Sequence, residues 1–332
     1  MNASLFKQRE VQLALILAVL VAVVGARAPV FLSARSVDSL FTDTAILVMM
    51  ALAQMLVILT RGIDLSVAAN LALCGMSVAL VGEKFPGTPV AAILAAAIAI
   101  GAALGAVNGA LIGFLRLPPI VVTLGAMSVF RGTIFVLSHG AWVSSQQMTR
   151  GFIDFPLERL FGLTHLVWLA AVVTLLAWVV ARHTRFGREL YAIGNSPVSA
   201  AYVGIPTPRR LFAVYAISGA VAGLCGYLWV ARYAVAYTEI AYGFEFTVIA
   251  ACVIGGISIA GGVGSPVGAL LGALFLTVIG NALPVMQVSP FWQSALTGLV
   301  ILVAVLINAR GNTRRSRQIL PLHPSNPQRS AA

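Results

Sequence analysis

Ten apolar stretches, each near the length that crosses a bilayer, succeed one another along the 332 residues, at about 11–26, 41–59, 67–82, 90–115, 119–138, 164–181, 210–231, 246–259, 265–284 and 291–308. A spanning helix needs about 20 such residues, and lipid offers no water to satisfy an open backbone. Only 9% of the chain is charged, against roughly 25% in soluble domains, so there is too little polar surface for a globule in water. The expected fold class is an all-α polytopic membrane protein of about ten transmembrane helices, N-in and C-in, with broken Gly-rich helices. Glycine-rich motifs cut short the second, third and eighth runs. The first run follows Lys7 and Arg9 and ends in Ala26-Arg27-Ala28, a small-x-small pattern that resembles a signal-peptide cleavage site. Pro29 comes next and is a poor residue for cleavage, so the run reads as a retained first helix.

The formal charge of +11 would suit a nucleic-acid partner in a soluble chain, but here the distribution explains it. With the N-terminus inside, fourteen basic side chains fall in cytoplasmic segments. Arg27, Arg35, Lys84, Arg150, Arg159 and Arg232 fall outside, and Arg131 lies within a span. That asymmetry follows the positive-inside rule. The implied organisation is a cytoplasmic N-terminus at 1–10 and a transmembrane domain at 11–310. The domain carries an outer loop at 139–163, with Trp142 and Trp168 near its ends, and an inner loop at 182–210. Residues 311–332 read as a disordered basic cytoplasmic tail.

Catalytic machinery is missing from the sequence. Lys7 and Lys84 are the only lysines and neither follows a glycine, so no P-loop exists. His139, His165, His183 and His323 are scattered without metal-ligand spacing. Cys74, Cys225 and Cys252 sit in apolar runs and read as small buried hydrophobes. No Gly-x-Ser-x-Gly elbow occurs. Carboxylates near span boundaries are Asp43, Asp64, Glu239 and Glu245. Asp64 follows Gly62 in a broken segment, where its carboxylate either accepts freed backbone N–H groups or contacts a substrate.

Two segments echo one another faintly. Arg61-Gly-Ile-Asp-Leu-Ser66 and Gly256-Ile-Ser-Ile-Ala-Gly-Gly262 each precede a small-residue helix, with Asn108 and Asn281 following later. Broken helices in paired halves are common in transporters. Gly255, Gly256, Gly261, Gly262 and Gly264 lack a following lysine and read as close packing and a bent segment rather than a nucleotide loop. Gly101, Gly105 and Gly109 place small residues on one helix face, for a tight contact within the subunit or across a dimer. In the inner loop, Ser196 can cap, Pro197 fits the first helical position and Gly204 fits a left-handed stop. The resulting two-turn helix presents Val198, Ala201, Tyr202 and Ile205, either to a partner surface or to the membrane interface.

The chain resembles the permease subunits of bacterial ABC importers for monosaccharides, the ribose, xylose, rhamnose and autoinducer-2 group. The resemblance is carried by Arg61-Gly-Ile-Asp-Leu-Ser-Val67, Leu117-Pro-Pro-Ile-Val-Val-Thr-Leu-Gly125 with Arg131-Gly132, Arg185-Phe-Gly-Arg-Glu-Leu-Tyr-Ala-Ile-Gly-Asn195, Gly243-Phe-Glu-Phe246 and Ile249 to Gly262. It implies a non-catalytic subunit of the inner membrane with several partners: a periplasmic sugar-binding protein, a second permease subunit (the same or different), a cytoplasmic ATPase and the lipid bilayer, with no nucleic acid. No cofactor is implied on this chain, since ATP and Mg belong to the ATPase. Carried over residue by residue, Arg185, Gly187, Arg188, Tyr191, Gly194, Asn195, Ala200, Ala201, Gly204 and Ile205 fall on the ATPase-coupling segment, with Gly194 supplying a turn. For the translocation path the candidates are Gln54, Asp64, Asn70, Asn108, Thr123, Glu245 and Asn281, each of which can equally tie helices together. The runs Asn281 to Gln293 and Cys225 to Arg232 look most like rhamnose-type permeases, with autoinducer-2 and ribose types close. A stand-alone secondary carrier or channel is the alternative, and a membrane-embedded enzyme a third.

Overall fold

The computed structural model describes residues 3–287 and, beyond them, 289, 291, 292, 295, 298, 299 and 302. Its helices are α1 (Ala3–Arg27), α2 (Ala34–Leu59), α3 (Val67–Lys84), α4 (Val90–Gly113), α5 (Pro119–Ser138), α6 (Arg150–Asp154), α7 (His165–His183), α8 (Arg185–Asn195), α9 (Pro197–Tyr202), α10 (Thr207–Tyr233), α11 (Phe244–Ile254) and α12 (Pro266–Val285). Eight of them are long and apolar enough to cross a membrane. The run at 291–308 and the tail at 311–332 lie outside the continuously described residues.

One expected span is corrected. The run at 246–259 forms only α11, whose 11 residues rise about 16 Å at 1.5 Å each, half of a ~30 Å hydrocarbon core. Gly256, Gly261 and Gly262 adopt positive φ of 80°, 83° and 71°, and this left-handed backbone ends the helix although apolar residues continue. The two-residue strands form small antiparallel pairs, β1 (Val143–Ser144) with β4 (Val235–Ala236) and β2 (Arg159–Leu160) with β3 (Leu163–Thr164).

Helix α2 is the axis of the bundle. Ser33 caps it, accepting from the Ser36 amide at 3.3 Å, and from Ala45 to Leu59 every residue is buried. Helices α7, α10, α11 and α12 surround it. A helix apolar on all sides has this fate when protein rather than lipid covers it. Helix α4 crosses α10 along a glycine seam in which an added Cβ at Gly101 would lie 2.2 Å from the Gly219 carbonyl oxygen. The small-residue face of α4 therefore serves contact within the subunit. The 139–163 loop is an ordered cap: Phe152 is buried edge-on against Tyr227 at 4.9 Å, and the Tyr227 hydroxyl donates to the Phe152 carbonyl at 3.0 Å. Cys74, Cys225 and Cys252 are buried and free.

Candidate functional site

Three interruptions of helix meet at one end of the bundle. The first is the turn 60–66 between α2 and α3. Arg61 takes a positive φ of 68°, and Asp64 Oδ1 accepts from the Ser66 amide at 2.9 Å and the Ser66 hydroxyl at 2.6 Å. The carboxylate thus satisfies the broken backbone, the first of its two expected roles. The second interruption is the glycine turn after α11, where the Gly262 amide donates to the Leu59 carbonyl at 3.0 Å. The two echoing segments are in direct contact as well, since an added Cβ at Gly261 would lie 3.0 Å from the Arg61 amide nitrogen. The third is the end of α8. The Arg61 guanidinium donates to the Gly194 carbonyl at 2.7 Å and to the Asn195 carbonyl at 2.9 Å. A cation on the last carbonyls of a helix satisfies orphan acceptors and the negative end of the dipole together.

The expected coupling residues divide sharply in this setting. Gly187, Gly194 and Ala200 are buried; Tyr191 is half-buried, its hydroxyl donating to the Gly264 carbonyl at 2.8 Å. Gly194 does not supply a turn: it is helical, and an added Cβ would lie 1.8 Å from the Leu59 carbonyl oxygen. Close approach is the reason for glycine there. Arg185, Arg188, Asn195, Ala201 and Gly204 are exposed, and Ile205 is half-buried. Helix α9 has the expected punctuation, with Ser196 accepting from the Ser199 amide at 3.1 Å and Gly204 at φ 79°. It leaves Val198 65%, Tyr202 87% and Val203 76% exposed. Beside it a groove of about 950 Å³ runs between Val198, Tyr202 and the α4–α5 turn at Arg116 and Leu117.

A charge cluster whose pairing the sequence does not reveal completes the unit. Glu189 is buried and pairs with Arg210 and, at 2.8 Å, with Arg185. Burial pushes its carboxyl up, but the hydrogen bonds from Arg210 and Arg185 outweigh burial and hold its pKa below the usual carboxylate range. A carboxyl with a folded pKa below its unfolded one contributes stability in full above the unfolded value. That contribution is lost as pH falls through the folded value. Amide-exchange protection of α8 is therefore expected to hold from neutral pH down to the ordinary carboxylate range and to fall progressively from there as pH drops toward the folded value. Protection lost already near pH 6 would contradict the pairing.

The expected path residues are mostly struts. Asn70 donates to the Gly101 carbonyl at 3.2 Å, Asn108 to the Ser66 hydroxyl at 2.9 Å and Thr123 to the Ile63 carbonyl at 3.1 Å. Gln54 is fully buried and neither amide atom has a partner among the described residues, a cost of about 1–3 kcal/mol. Glu245 is buried in the first turn of α11. Asn281, at the end of the bundle remote from α8, donates to Asp43 at 3.2 Å and lines a cavity.

A family described as branched-chain amino acid transport system, permease component, matches residues 36–305. The chain belongs to this family. This permease is a non-catalytic, multi-pass inner-membrane subunit of an ABC importer. It is 30% identical over 309 residues to the autoinducer 2 import system permease protein LsrC of Escherichia coli (strain SMS-3-5 / SECEC), covering 91% of this chain and 89% of that one. To the protein of the same name from Shigella flexneri it is 31% identical over 281 residues, covering 84% and 81%. To that of Salmonella typhi it is 30% identical over 331 residues, covering 98% and 94%. No solved structure matches the permease.

Proposed function

We propose that this permease passes a small neutral sugar, delivered by a periplasmic binding protein, between two permease subunits, with ATP and Mg held by a separate cytoplasmic ATPase. The exposed face of α9 is the seat of that ATPase, and the 139–163 cap faces the periplasm. One observation carries the reading: α9 exposes Val198 and Tyr202, while its neighbour α8 is fastened by Arg61 to the α2–α3 break, and by Gly194 to the glycine turn as well. A short helix with an unpartnered apolar face, rigidly joined to the breaks in the spanning helices, is what a cytoplasmic motor needs to move them. A stand-alone carrier has no use for it. The names of the relatives support a cargo of the autoinducer-2 kind; rhamnose rests on the resemblance of 281–293 and 225–232 alone.

The test uses Ser199→Cys, since the native thiols are buried. A membrane-impermeant maleimide should leave Cys-substituted position 199 unlabelled in intact cells and label it after permeabilisation. Labelling in intact cells would invert the orientation and remove the proposal. In the same cells, sugar uptake should vanish when the neighbouring ATPase subunit is deleted; undiminished uptake would favour the secondary carrier. Uptake of leucine in preference to any sugar would overturn the cargo.

A further inference from the structure

The polar cavity at the end of the bundle remote from α8 has a composition that no helix-packing role requires. It holds about 210 Å³ between α2, α10, α11 and α12. Asp43 and Arg232 pair across it, so the two charges cancel, and Asn281 donates to the second carboxylate oxygen of Asp43. The Nε of Arg232 is buried and has no hydrogen-bond partner among the described residues, and Thr247 also lines the cavity. An aromatic wall also lines the cavity, Trp229 set edge-on to Phe244 at 5.0 Å and tilted on Tyr233 at 5.3 Å, with the Arg232 guanidinium 5.7 Å from the Tyr233 ring centre.

We propose that this cavity is a binding subsite for a neutral cyclic polyol, a deepening that rests on the sugar-cargo reading above. Cancelled charges disfavour an anion or a cation, whose burial here would go uncompensated. The carboxylate and guanidinium, one accepting and one donating, suit vicinal hydroxyl groups, and charge-assisted bonds of this kind are the stronger ones. The aromatic wall covers the C–H face of a ring, as concave sites with a few convergent polar groups do for small ligands. The unpartnered Arg232 Nε supplies a donor that a polyol oxygen would accept from, and the hydroxyl of the cavity-lining Thr247 is a further hydrogen-bonding group. Thr247 and Phe244 lie on α11, so a ligand here touches the short helix that leads into the glycine turn, and that turn abuts α8 at Gly262.

The experiment measures uptake by the assembled importer in proteoliposomes, with radiolabelled ribose, rhamnose and autoinducer 2 as probes. Thr247→Val removes the hydroxyl without changing shape, and Trp229→Leu removes the wall. Trp142→Leu, exposed at the same end but outside the cavity, is the control. Each cavity variant should raise KM about tenfold with basal ATP turnover and membrane yield unchanged, while the control stays at the parent value. KM within twofold of the parent in both cavity variants, or an equal rise in the control, would overturn the subsite. Transport of none of the three probes by the parent importer would overturn the cargo reading instead, and the ligand class with it.

Discussion

Gly219→Val should leave almost no folded permease in the membrane. A Cβ at 219 would stand 2.2 Å from the Gly101 carbonyl oxygen and 2.8 Å from the Gly105 Cα. Both obstacles are backbone, so no rotamer change relieves them, and α4 would have to separate from α10. Lipid supplies no hydrophobic force to restore the contact, because close packing of small residues is itself what holds membrane helices together. Overpacking in ordinary cores costs about 1–3 kcal/mol, and an insertion against backbone on a long seam exceeds that range. Two more points of the seam would be lost with it, at Gly105 against Tyr215 and Gly223 against Ala97. The measurement is the yield of monodisperse protein from membranes. Gly125→Val, on α5 where nothing lies within 4 Å, carries the same side chain and should express normally. Parental yield of Gly219→Val would mean that α4 and α10 do not pack as described.

The double variant Val198→Asp with Tyr202→Asp should do the reverse, folding normally and transporting almost nothing. Neither side chain is buried, so the subunit does not need them for its own core. On the proposed seat each charge would enter an apolar contact, and buried aromatic anchors commonly dominate such interfaces. A loss of about 3 kcal/mol corresponds to roughly a hundredfold in ATPase affinity, read as failure of the ATPase subunit to co-purify and as loss of uptake. Co-purification at the parental level would place the ATPase elsewhere. Gly194→Asp should fail differently: position 194 abuts the Leu59 carbonyl, so that variant is expected to lose fold as well as transport.

Much of this was legible in the sequence because it is local. Apolar length gave the spans, Ser196, Pro197 and Gly204 marked α9, and the Asp64 turn followed from the break beside it. The short α11 was misjudged because Ile257 and Ile259 continue the apolar run through Gly256, and hydropathy does not register a left-handed φ. Distant partners left no trace. Arg61 finds the end of α8 across 133 positions, Arg232 finds Asp43 across 189, and Glu189 finds Arg210 only because α8 folds back on α10. Polar residues within spans were ambiguous for a physical reason: a strut such as Asn108 and a cavity residue such as Asn281 have the same chemistry. Only packing separates them.

The central position of α2 limits how this subunit can change shape. It comes from the first half of the sequence, yet its immediate neighbours α7, α10, α11 and α12 come from the second. The two halves are threaded through each other, so one chain cannot open like a clamshell along its midpoint without extracting its own spine. On the proposed path between two subunits, alternation between outward and inward access would arise by tilting whole subunits against one another, or by bending at the glycine turns.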